Sequence, residues 1–93
     1  KYSNGVIMYK VFSKDNCVYC TKAKTLLSNL KLPYEEHKLS PTFTPDKMFE
    51  MIGKQVRSMP QIMYNDNLIG GYTDLREHLI NEGKINFEGN PTE

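Results

Sequence analysis

Cys17 and Cys20 are the only cysteines in the chain, and they stand three positions apart in the run Cys17-Val18-Tyr19-Cys20. A disulfide between them closes almost no loop, so it adds little stability through chain entropy. A cysteine-stapled fold would spread more cysteines along the chain. As metal ligands they supply half of a tetrahedral zinc site, and no second pair exists. The two histidines, His37 and His78, lie in charged stretches that read as solvated surface. No metal is therefore expected. Thiol–disulfide exchange is the leading reading of the pair, with zinc binding and an inert structural pair as the plainer ones.

Exchange needs a thiolate, because the thiolate is the nucleophile. A helix N-terminus favours it through free backbone N–H groups and the helix dipole. Cysteines so placed have pKa values lowered from about 8.5 to roughly 3.5–7.5. The pattern here turns helical from Val18 onward, which puts Cys17 at such a terminus. Lys14 adds positive charge nearby and Asp15 opposes it. Ala23, Leu26, Leu27 and Leu30 fall at i, i+3, i+4 and i+7, a buried helix stripe. Cys20 continues that stripe toward the helix start, so it is expected to be shielded while Cys17 stays exposed. That asymmetry suits an attacking thiol and a resolving thiol.

The elements that must position this pair read as follows. Val6 to Phe12 forms a central strand, buried on both faces. Ser13 to Asn16 breaks it, and the cysteine helix follows until Pro33 ends it. Tyr34 to Leu39 is a charged edge strand. One helix between two strands implies a parallel βαβ unit. After the loop from Ser40 to Pro45, Thr44 caps a short helix with Pro45 at its first position. Phe43 and Met48 are spaced as a hydrophobic staple, and Gly53 suits the helix end. Gln61 to Tyr64 and Asn67 to Ile69 form two strands joined at Asn65-Asp66. A last helix runs from Thr73 to Glu82 and stops near Gly83. The order is β-α-β-α-β-β-α, with a domain core over 6–83 and a polar C-terminal tail over 84–93 that frays from Phe87.

Two further segments attract notice. Met59-Pro60 precedes a strand. Its plainer reading is a strand-start proline; a cis bond beside the thiols would instead expose the Met59 backbone to an extended substrate. Gly70-Gly71-Tyr72-Thr73-Asp74 reads as a turn with Thr73 as helix cap. Backbone N–H groups at such a helix start also bind carboxylates, and the glycines permit close approach. Arg57 and Lys14 could hold a second carboxylate; their plainer reading is as ordinary solvated side chains.

Taken together, three motifs resemble the glutaredoxin family: Lys14 through Cys20, Met59-Pro60-Gln61-Ile62, and Ile69 through Asp74. The similarity runs from about Val6 to Glu82 and is most like dithiol glutaredoxins of bacteria and bacteriophages. It implies a thioredoxin-like α/β fold, a four-stranded mixed sheet flanked by three helices. It implies a thiol–disulfide oxidoreductase with glutathione as the reducing cosubstrate. On this resemblance Cys17 is the nucleophile and Cys20 the resolving thiol. Tyr19, Met59, a cis Pro60, Gly71, Thr73 and Asp74 line the glutathione site, with Lys14 and Arg57 facing the glycine carboxylate. Two positions depart from the family: Val18 stands where Pro is usual, and Ser58-Met59 where Thr-Val is usual.

Bulk properties bound the partners. Ninety-three residues correspond to one domain. A formal net charge of +1 gives no electrostatic case for nucleic acid or an acidic membrane. No apolar run approaches the roughly 18 residues of a transmembrane helix. The expected partners are glutathione and protein disulfides, with ribonucleotide reductase a candidate by resemblance, and the expected state is a cytoplasmic monomer. Two other functions compete with this one. A thioredoxin reduced by a flavoprotein would carry a Trp before its first cysteine, and this chain has none. A glutathione-assisted [2Fe–2S] dimer would use one cysteine per subunit, but cluster carriers of the family are typically monothiol.

Overall fold

The computed structural model describes residues 9–86. Val6 to Met8 of the expected first strand, and the expected tail from Phe87, lie outside them. In β1 (Tyr9–Ser13) four of the five residues are buried. Side chains alternate across a strand, so Tyr9 and Val11 face one side of the sheet and Phe12 the other. Each side carries its own core. Tyr9 and Val11 cluster with Ala23, Leu27, Ile62, Leu75, Leu79 and Ile85. Phe12 clusters with Met48, Ile52 and Met63.

The sheet has four strands in the order β2-β1-β3-β4. β1 pairs in parallel with β2 (Tyr34–Lys38) and antiparallel with β3 (Gln61–Tyr64), which pairs antiparallel with β4 (Asn67–Gly70). The charged β2 lies at one edge, as its composition requires. Helices α1 (Val18–Asn29) and α3 (Tyr72–Asn81) supply the buried Leu27, Leu75 and Leu79 of the first core. Helix α2 (Pro45–Ile52) supplies Met48 and Ile52 of the second. Its ends match the sequence signals. Thr44 Oγ1 accepts from Lys47 N at 3.4 Å, and Gly53 closes the helix at φ +86° with its N–H on the Phe49 carbonyl at 2.8 Å. Phe43 and Met48 both pack in the second core.

Three expectations need correction. Helix α1 stops at Asn29, before Pro33. Lys31 adopts φ +58° and donates its N–H to the Ser28 carbonyl at 3.0 Å, so a left-handed turn ends the helix before the proline can. Ile85, assigned to the tail, is 2% exposed and belongs to the first core. Neither histidine is simply solvated. His37 pairs with Glu35 at 3.1 Å, but its ring stacks on buried Phe12 at 5.2 Å. His78 packs 4.6 Å from the Tyr64 ring and shares a 3.1 Å hydrogen bond with the Tyr9 hydroxyl. Burial raises the pKa of that hydroxyl. Apolar rings on β1 reach both imidazoles across the sheet, a contact that local charge does not reveal.

Candidate active site

The site begins where β1 ends. Asn16 takes φ +56°, a left-handed conformation that asparagine tolerates, and turns the chain into α1. Cys17 is the N-cap of that helix, with extended backbone, and its Sγ accepts from Cys20 N at 3.1 Å. This is the position a serine or aspartate oxygen takes at an N-cap. One of the orphan donors of the first turn is therefore already aimed at the sulfur. The two cysteines are bonded to each other, with Cα atoms 5.2 Å apart. Cys20 is 1% exposed and lies against the core, whereas Cys17 is partly exposed. The sequence-level division into an accessible and a shielded sulfur is thus present in the fold.

Charges around the pair are ordered by ion pairs. Asp15 Oδ1 lies 2.6 Å from Lys38 Nζ, and this partner holds the exposed ammonium's pKa above its ordinary value. Asp15 is thereby tied to β2 rather than left to oppose the thiolate alone. Below it, Glu36 Oε2 accepts from Lys24 Nζ at 2.8 Å and from the buried Ser13 hydroxyl at 2.7 Å. Those two hydrogen bonds hold the Glu36 carboxyl below the ordinary carboxylate pKa. The network ties α1 to β1 and β2 beneath the dithiol.

Beside α1 runs a groove of about 320 Å³ lined by Tyr19, Ser58, Met59, Pro60, Gly71, Tyr72, Thr73 and Asp74. Met59-Pro60 is a cis peptide. Six of the expected site residues, Tyr19, Met59, Pro60, Gly71, Thr73 and Asp74, therefore meet in one place. Arg57 instead lines an adjoining recess of about 450 Å³, together with Lys54, and that recess shares Ser58, Gly71 and Asp74 with the groove. Lys14 is exposed and lines neither.

The cap of α3 differs from the expectation. Gly71, not Thr73, is the N-cap. The Asp74 Oδ2 reaches back to accept from Gly71 N at 3.1 Å, so the carboxylate meets the helix start that a threonine hydroxyl was expected to serve. Gly70 sits at φ +127°, and a Cβ there would collide with the Asp74 carboxylate. Glycine is required at position 70 on both counts.

Two contributors to the site, and one neighbour outside its lining, were not singled out from sequence. The Tyr72 ring stands 5.7 Å from that of Tyr19, tilted by 44°. Buried Gln61 donates from Nε2 to the Ser58 carbonyl at 2.9 Å and to Ser58 Oγ at 3.3 Å, bracing the loop that carries Met59. Lys22 Nζ lies 5.1 Å from the centre of the Tyr19 ring. Tyr72 and Gln61 stood inside the motifs already noted, and their neighbours were the available signal. Lys22 gave no signal beyond its i+3 spacing from Tyr19. Among the described residues no group of three or more His, Cys, Asp or Glu side chains could hold a metal ion.

A four-stranded mixed sheet flanked by three helices, with a dithiol on the first helix start and a groove beside that helix, is a thioredoxin-like fold. Within it, the glutaredoxin family model matches residues 9–69. The chain is 36% identical to the glutaredoxin of Enterobacteria phage T4 over 86 residues, covering 77% of this chain and 99% of that one. It is 35% identical over 79 residues to human mitochondrial glutaredoxin-2, covering 81% of this chain. It spans about half of that longer relative, 46% of its length. A solved complex of buckwheat glutaredoxin with glutathione superposes with a TM-score of 0.63 at 25% identity, over 82% of this chain and 70% of that one. The chain belongs to the glutaredoxin family.

Proposed function

We propose that this chain reduces protein disulfides and glutathione mixed disulfides through the Cys17–Cys20 dithiol, with glutathione as its electron source. The observation that carries this reading is the arrangement of the two sulfurs. Cys17 is partly exposed and caps a helix N-terminus two residues before the groove-lining Tyr19, while Cys20 is buried. The N–H of Cys20 and the helix dipole favour the Cys17 thiolate.

With a glutathionylated protein, the Cys17 thiolate attacks the glutathione sulfur. A bond forms between Cys17 and glutathione as the protein thiolate leaves. A second glutathione thiolate then takes the bound glutathionyl group as glutathione disulfide and returns Cys17 as thiolate. With a protein disulfide, Cys17 first forms a mixed disulfide with the protein. The Cys20 thiolate attacks Cys17 Sγ, expels the second protein thiol and leaves the Cys17–Cys20 disulfide. Two glutathione molecules restore the dithiol, each giving one electron.

Tyr19, Met59 and Pro60 are proposed to hold the cysteine part of glutathione. The Gly71–Asp74 helix start would hold the γ-glutamyl end, with Arg57 on the adjoining recess meeting the other carboxylate. Support comes from the family membership and from the structural likeness to a glutathione complex. The acceptor by resemblance is ribonucleotide reductase, and the proposed state is a cytoplasmic monomer.

Trapping tests this directly. Cys20→Ser incubated with glutathione disulfide is expected to gain one glutathionyl group, localised to Cys17 by peptide mass spectrometry. A Cys17 that stays unmodified under these conditions, while it still reacts with an alkylating reagent, contradicts the assignment.

A further inference from the structure

The first turns of α1 carry an exposed face of which the reaction above uses only Tyr19. Val18 and Tyr19 are 67% and 54% exposed, the two most exposed of the large apolar side chains among the described residues. Lys22 follows Val18 by four positions and Tyr19 by three, so one face of the helix presents all three. The 5.1 Å contact of Lys22 Nζ with the Tyr19 ring fixes the ammonium against the apolar pair. Helix α1 contains no acidic residue. Asp15, the carboxylate two positions before Cys17, is paired with Lys38. The helix N-terminus adds partial positive charge of its own. An apolar face bordered by unopposed positive charge, one turn from the attacking sulfur, fits one kind of partner.

We propose that Lys22 is a specificity-determining residue that pairs with a carboxylate side chain flanking the target disulfide of a protein substrate, while Val18 and Tyr19 cover the apolar residues of the same segment. This rests on the thiol–disulfide reading above and names its substrate class: disulfides carried on acidic segments. Lys22 takes no part in bond making. It acts on encounter and docking, so it changes kcat/KM for protein substrates and not the chemistry of small ones.

The test compares two disulfide-bonded peptides that differ only in aspartate or asparagine beside the cysteines. The glutathione mixed disulfide of 2-mercaptoethanol serves as the small substrate. Wild type is expected to favour the acidic peptide by about two- to fivefold in kcat/KM, the effect of one exposed ion pair. That preference should fade at about 0.5 M salt, where exposed charges are screened. Lys22→Gln should remove the preference, Lys22→Arg should keep it, and both should turn over the small substrate as wild type does. An absent preference in wild type, a preference that survives Lys22→Gln or vanishes in Lys22→Arg, or a parallel fall in small-substrate turnover overturns the proposal. Failure of wild type on the small substrate instead overturns the glutathione-dependent reading itself.

Discussion

Cys17 and Cys20 differ in exposure because one caps a helix and the other continues its buried stripe. That difference was legible in sequence, since periodicity from Ala23 and Leu27 runs back to Cys20. Partners distant in the chain were not. Glu36 reads as an ordinary charge on an edge strand, yet it accepts from both Lys24 and Ser13. Its carboxyl is held below the ordinary value of 4.5. A group whose folded pKa is depressed contributes stability above its unfolded pKa and loses it as pH falls through the folded one. Wild type and Glu36→Gln should therefore differ in unfolding free energy at pH 7 by ~0.2–1 kcal/mol, the value of a partly exposed pair. The gap should close below about pH 4.5 as the carboxylate protonates. A gap that widens on acidification would show that the network does not act through the Glu36 charge.

At the scale of elements, the order of strands and helices along the chain, the parallel βαβ unit and the caps of α2 could be read from sequence pattern, turn and cap residues, whereas the strand order within the sheet could not. Neither could the cap of α3. Thr73 is a good capping residue, but the Asp74 side chain reaches back to Gly71 N and shifts the helix start to Tyr72. Local propensity pointed to Thr73 alone, and the bond from Gly71 N to the Asp74 carboxylate sets the cap at Gly71 instead. Two neighbouring glycines should consequently respond differently. Gly70→Ala meets the Asp74 carboxylate at a φ that favours glycine, and should cost about 1–3 kcal/mol in chemical denaturation. At Gly71 the backbone is extended and an added Cβ meets the Pro60 carbonyl at an ordinary 3.6 Å. Gly71→Ala should lie within about 0.5 kcal/mol of wild type. Equal costs at the two sites would refute this account of the turn. The Met59 loop is similarly held by Gln61, whose hydrogen bonds to Ser58 join residues adjacent in sequence but specified by a buried site.

Across the whole molecule, one sheet carries two cores, and the dithiol stands at the end of its central strand. The nearly unbroken apolar run through Tyr9, Val11 and Phe12 made the burial of both faces readable. Which helix covers which face followed only from packing, as did the return of Ile85 to the first core. Leu27 is fully buried between α1 and the sheet. Leu27→Ala should lose about 2–5 kcal/mol in urea unfolding, a large share of the roughly 5–15 kcal/mol that holds such a chain folded. A loss under about 1 kcal/mol would mean that the core does not depend on α1 as described. That scaffold presents Cys17 partly exposed at a helix start, with Cys20 buried against the core. The most direct measurement is steady-state reduction of a glutathione mixed disulfide by wild type, Cys17→Ser and Cys20→Ser, followed by glutathione disulfide formation, with reduction of a protein disulfide alongside. The expected result is no turnover of either substrate by Cys17→Ser, and retained mixed-disulfide but lost protein-disulfide activity in Cys20→Ser. Full activity in Cys17→Ser would contradict the account at its centre.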